Sequence, residues 1–205
     1  MKPLPEAVGR GLRLTLASGA DMRPRWLLFP VAAFLFFTAH ATTSRSALDA
    51  EVQQALSAAP PSISAHATVL ARARHGGWTV LRHGSNGWTC LPPGGDDPAP
   101  RPACFDANGL AFMHALGAGQ SPDPSKPGYS YMLSGGSAWS NTDPTATKLP
   151  AGRKDYIHIP PHFMILDSKI ANESGLPLHD IEPNTHAPFV MFGDTKYAIL
   201  IIPVK

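Results

Sequence analysis

PFVMFGDTKYAILIIPV, residues 188–204, is an apolar run, a turn and a second apolar run. Phe189 to Phe192 (FVMF) reads as a strand, Gly193-Asp194-Thr195 as a turn, and Tyr197 to Ile202 (YAILII) as the next strand. The second run is apolar on both faces, which predicts a central strand covered on both sides. Such a strand needs neighbours beside it and helices over it, and the rest of the chain offers both. Phe163 to Leu166 after Pro160-Pro161, Tyr129 to Leu133 (YSYML) and Ala67 to Leu70 read as strands. Trp78 to Ser85 and Trp88 to Leu91 read as a hairpin, because Asn86-Gly87 between them is the preferred type I′ turn pair. Ala47 to Ala58 carries Leu48, Val52 and Leu56 at helical spacing and stops at Pro60-Pro61. A second helix, Asp106 to Leu116, opens on an N-cap aspartate, with Phe105 and Leu110 placed as a hydrophobic staple; its Gly109 weakens it by up to about 1 kcal/mol. The pattern predicts an α+β fold: an antiparallel sheet of five to seven strands, two main helices packed on it, and many loops.

The loops follow from composition. Pro (22) and Gly (18) make up almost a fifth of the 205 residues. Ser134 to Lys148 (SGGSAWSNTDPTATK) reads as a polar loop of fifteen residues, and Asn172 to Pro188 as a second long one. Loops of that length in a compact domain are usually functional or disordered.

Outward from this domain, the N-terminus reads as an export signal. Arg23 and Arg25 precede Trp26 to Phe37 (WLLFPVAAFLFF), an unbroken apolar run of twelve, and Ala39-His40-Ala41 supplies the small-x-small cleavage pattern. The run is shorter than the roughly 20 apolar residues of a membrane span, and Pro30 sits inside it. The expectation is a signal peptide at 22–41 cleaved after Ala41, with 1–21 an extension ahead of the working start at Met22. Residues 42–205 would then be a single exported domain, periplasmic or extracellular, with Thr42 to Ser46 a flexible lead and no membrane span left after cleavage. Cleavage also changes the charge. The formal +2 loses five of its 17 basic residues (Lys2, Arg10, Arg13, Arg23, Arg25) and two of its 15 acidic ones (Glu6, Asp21), leaving 12 against 13. A near-neutral domain without a Lys/Arg cluster gives no footprint for nucleic acid.

Cys90 and Cys104 are the only cysteines, and an exported chain meets an oxidising compartment. The segment between them, LPPGGDDPAPRPA, would not hold a fold alone. A disulfide closing it stabilises the fold by roughly 3 kcal/mol on the chain-entropy model.

Eight histidines remain after cleavage, and histidine is both a metal ligand and a general base. His158 and His162 have H-x₃-H spacing, but Pro160-Pro161 excludes a helix, and an extended chain holds them about 13 Å apart. They are weak metal candidates. His162, where a loop enters a strand, is the first choice for a catalytic or binding side chain. His114 shares a helix face with Leu110 and Met113 and reads as a core-edge residue. In Ser140-Asn141-Thr142-Asp143-Pro144, the side chains either stiffen the loop by turn bonds or present Asn141, Thr142 and Asp143 to a cleft, where Asp143 would orient His162. Tyr131 completes the ligand-binding candidates. Ser134-Gly135-Gly136-Ser137 offers backbone donors to an anion. No nucleophile elbow, phosphate loop, H-E-x-x-H or EF-hand pattern is present.

The segments SAAPPSISAHATV (57–69), NGWTCLP (86–92), CFD (104–106), YMLSGG (131–136), SNTDP (140–144), PPHFMIL (160–166) and PFVMFGDTKYAILIIPV (188–204) resemble a group of exported bacterial proteins of unassigned function. The resembling segments are spread along most of the exported domain, from 57 to 204, and the resemblance implies no activity, cofactor or catalytic residue. It supports export from a bacterium and marks 140–144 and 160–166 for inspection. Three functions are open on this reading. The leading one is a non-enzymatic module binding a small molecule or a protein partner under the 134–148 loop. The others are a hydrolase or metal-assisted enzyme using His162 with Asp143, and a structural envelope-associated protein. No particular cofactor is implied.

Overall fold

A computed structural model describes residues 39–204 except 74, 96, 124 and 155, with side chains from residue 45 on. The expected extension 1–21 and most of the expected signal peptide lie outside the described residues.

The elements run in the order α1 (Ala39–Leu56), α2 (Pro61–Ser64), β1 (Thr68–Arg72), β2 (Trp78–Arg82), β3 (Thr89–Leu91), β4 (Ala103–Phe105), α3 (Ala107–Gly117), β5 (Gly128–Met132), β6 (Gly136–Ala138), β7 (Ile157–Ile159), β8 (His162–Leu166), α4 (Ser168–Glu173), β9 (Phe189–Met191) and β10 (Ile199–Pro203). The fold is α+β. Eight strands form one sheet in the order β2-β1-β3-β4-β5-β8-β10-β9, and β6 with β7 forms a second, two-stranded sheet. The main sheet is larger than the expected five to seven strands and is mixed, because β1 and β3 run parallel.

That parallel pair corrects the expected hairpin at Asn86-Gly87. A type I′ turn needs positive φ at both central residues, and here only Gly87 has it (φ 79°). The Asn86 side chain instead closes an Asx turn, its Oδ1 accepting from Trp88 N at 3.1 Å while Nδ2 donates to Ile63 O at 2.7 Å. The Arg82 guanidinium donates to the carbonyls of Ser64 and Ala67, both at 2.7 Å. These bonds fold the chain after β2 across the start of β1, so that β3 enters on the other side of β1. The hairpin turn lies earlier, at Gly76-Gly77 (φ 86° and 80°), and joins β1 to β2.

β10 is internal, between β8 and β9. Its Ile199 and Ile201 face the main core with Phe189, Met191, Met164, Leu166 and Phe112. Leu200 packs on the opposite side with Val190, Ala198 and Ala171 of α4. It is therefore covered on both faces, as its two-sided apolar sequence requires. α3 begins where expected: Asp106 Oδ1 accepts from Gly109 N at 2.7 Å and from Tyr129 N at 2.8 Å. Gly109 is explained by contact, not by helix propensity. A Cβ built on Gly128 would lie 2.4 Å from Gly109 Cα, so the two glycines are what lets α3 lie against β5.

The Cys90–Cys104 disulfide joins opposed residues of β3 and β4, and both sulfurs are buried under Ala55, Ala58 and Ala59 at the end of α1. Thr42–Ser46, expected as a flexible lead, continues α1 instead. This Thr/Ser-rich stretch holds no Pro or Gly to break a helix that Ala55 and Leu56 already anchor. No helix among the described residues is long and apolar enough to cross a membrane.

Candidate functional site

The expected loop 134–148 is not structureless. Its first part, β6, pairs with β7. The Pro160-Pro161 bend then carries the chain from β7 in the small sheet to β8 in the main one. On β7, Ile157 and Ile159 point into the core and His158 points outward, beside the Tyr156 ring at 4.4 Å between centroids. On β8 the alternation takes His162, Met164 and Leu166 inward.

His162 is 1% exposed. Its Nδ1 lies 2.7 Å from Pro160 O. A carbonyl only accepts, so this nitrogen carries the proton and Nε2 keeps the lone pair. Burial pushes the imidazole below its ordinary range, partly opposed by the Pro160 bond, and so keeps the ring neutral. The ring edge lies against Gly136: a Cβ there would be 3.2 Å from His162 Cε1.

Asp143 is exposed, and its Oδ1 accepts from Thr145 Oγ1 at 2.7 Å and Thr145 N at 2.8 Å. Those two bonds hold its carboxyl below the usual carboxylate range. His162 is thus oriented by a backbone carbonyl and Asp143 by its own turn, and no hydrogen bond among the described residues joins the two. His158 stands exposed and His162 buried. No group of three or more His, Cys, Asp or Glu side chains comes together to hold a metal among the described residues.

The other candidates also go to structure. Tyr131 packs its ring on Trp88 (5.6 Å) and Phe163 (4.8 Å) in a row of aromatics across the sheet. Thr142 N donates to Ser140 Oγ at 3.1 Å. Asn141 is 1% exposed and ties three segments together. Its Nδ2 donates to Asp180 O at 2.7 Å and Val190 O at 3.0 Å, and its own carbonyl accepts from Phe192 N at 2.6 Å. Phe192, held by this knot, and Asp194 have positive φ (57° and 63°). His114, expected at the core edge, is exposed beside Trp78, 6.2 Å away between ring centroids.

What the sequence did not single out is Arg101 and the 185–186 turn. Together with 134–136 and 158–160 they wall an open groove of about 340 Å³. Each wall is fixed locally. Asn184 Oδ1 accepts from His186 N at 3.1 Å, and Asn184 O from Ala187 N at 3.1 Å. Ser137 Oγ accepts from Ala99 N at 2.9 Å and donates to Ala99 O at 3.0 Å, pinning the loop that carries Arg101 onto β6. Gly135 N donates to Met132 O at 3.0 Å, so this amide of the SGGS turn serves the turn and not an anion. His162 sits behind the groove wall that Gly136 and Pro160 form, not in it. No family model matches the chain, and neither does any curated protein or solved structure.

Proposed function

We propose that the protein is exported, that its leader is removed after Ala41, and that its α+β domain is a non-catalytic module binding a small molecule in the groove beside the 134–136 turn. Export is supported by the order of basic residues, apolar run and small-x-small site, and by the buried disulfide. The binding reading rests on one observation. Four segments distant in sequence converge on the groove, each held by its own hydrogen bonds, in the manner of a preformed ligand site. Catalysis by His162 with Asp143 has less support, because each side chain is committed to another partner.

The test is expression of the full chain with periplasmic extraction, followed by intact and native mass spectrometry. The expected product starts at Thr42, weighs two hydrogens less than the reduced chain, and retains a small molecule that Ser134→Trp abolishes. A product that keeps residues 22–41 overturns the cleavage reading. A wild-type domain that neither retains nor takes up any small molecule overturns the binding reading.

A further inference from the structure

The walls of the groove also indicate the ligand's chemistry, on the premise that the groove is where the ligand sits. Arg101 is exposed there, and no carboxylate pairs with it among the described residues. None of the residues lining the groove is acidic. The same groove is lined by His158, His186 and the half-buried Thr185. A guanidinium presents five N–H donors in a planar fork that fits two oxygens of one oxyanion, and the His186 imidazole and Thr185 hydroxyl can add further donors. The guanidinium repels a cation and forms a charge-assisted pair with an anion, which a neutral ligand cannot offer it. We propose that the groove binds a small molecule through an oxyanion head, a carboxylate or a phosphate monoester, with Arg101 as its principal partner. The groove is larger than a bare oxyanion requires, so the ligand carries a body beyond its head.

The test is a titration of the full-length protein with inorganic phosphate, succinate and, as a neutral control, acetamide, at constant ionic strength. The readout is the imidazole ¹⁵N–¹H spectrum. One oxyanion should shift His158 and His186 saturably while His66 and His179 stay put. Arg101→Ala should weaken that binding at least ten-fold, and Arg101→Lys by less, with both variants melting as the wild type does. Tighter binding of phosphate assigns the head to a phosphate monoester, and tighter binding of succinate to a carboxylate. The proposal is overturned if acetamide acts like the anions, if all histidines shift together, or if Arg101→Ala binds as the wild type does. If a retained neutral compound fills the groove while the anions leave it untouched, this inference falls and the binding-module reading stands. If neither a retained compound nor any probe perturbs the groove, both fall.

Discussion

Asn141 should behave as a structural knot and not as a ligand residue, and its replacement has a calculable cost. Asn141→Ala removes the amide donor from Val190 O, which is buried, and from Asp180 O, which water partly reaches. Two carbonyls losing a donor cost about 1–2 kcal/mol each, for a gross loss of about 2–4 kcal/mol. One gain offsets this. Asn141 Oδ1 is buried with no partner among the described residues, and deleting it removes a penalty of about 1 kcal/mol. The net expectation is a loss of about 1–3 kcal/mol, with the denaturant m-value unchanged. Asn141→Asp turns the same position into a carboxylate facing two carbonyl oxygens, so it should cost more than the alanine variant at pH 7. Burial and repulsion raise the carboxyl's folded pKa above its unfolded value. The unfolded state then binds fewer protons, and stability must recover as pH falls toward about 4, where a protonated carboxyl can donate to one carbonyl. Urea titration followed by tryptophan fluorescence measures all three proteins, with Trp139 close to the site. A loss below about 0.5 kcal/mol for the alanine variant, or a pH-independent deficit for the aspartate variant, would refute the knot.

Three other predictions follow from single groups. His162 is buried neutral with its pKa lowered from 6.5, so below about pH 6.5 the unfolded state binds a proton that the folded state refuses. Stability should therefore fall as pH drops through this window, by up to about 1.4 kcal/mol per pH unit, and the slope difference between the wild type and His162→Asn reports it. Asp106→Ala removes a carboxylate that accepts from both α3 and β5, and should cost about 2–3 kcal/mol in urea, with Asp106→Asn between it and the wild type. Replacing Cys90 and Cys104 together by Ala opens a loop with a sequence separation of 14 and should cost about 3 kcal/mol; a loss under about 1 kcal/mol would mean that strand pairing alone fixes β3 to β4.

Some of these features were legible in the sequence because local chemistry decides them. Asp106 caps a helix by forming two bonds to nearby backbone amides, and the two-faced apolar run of β10 fits only an internal strand. The disulfide followed from compartment and loop composition. Other features depended on choices that pattern does not encode. HFMIL is apolar enough on both faces that nothing in it says whether His162 or Phe163 points inward. Asn-Gly favours a type I′ turn, but an Asx bond to Trp88 N and a bond to Ile63 O outweighed that preference, and the latter partner is 23 residues away. β6 and β7, three residues each, are too short to show periodicity, and each is specified by the other. The polar SNTDP residues took the turn-forming role that their side chains favour: Asp143 holds Thr145, and Asn141 holds the β9 side of the terminal hairpin.

The disulfide and the groove are linked through the loop between the two cysteines. Arg101 lies two residues before β4, inside the segment that the disulfide closes. The loop is also fixed near its middle by Ser137, which exchanges two hydrogen bonds with Ala99. Arg101 is exposed and makes no ion pair of its own among the described residues, so its position depends on these two restraints. Removing either should leave the eight-stranded sheet in place and loosen the loop. Ser137→Ala forfeits two neutral hydrogen bonds, about 1 kcal/mol each at most, and if all of that free energy serves to hold Arg101 at the groove, oxyanion binding weakens by up to about thirty-fold. Reduction of the Cys90–Cys104 bond should weaken it in the same direction. The control is Arg101→Ala, in which neither Ser137→Ala nor reduction should weaken binding further, since the group they position is gone. A Ser137→Ala effect that persists undiminished in the Arg101→Ala background would show that the loop acts on the groove by some route other than its arginine.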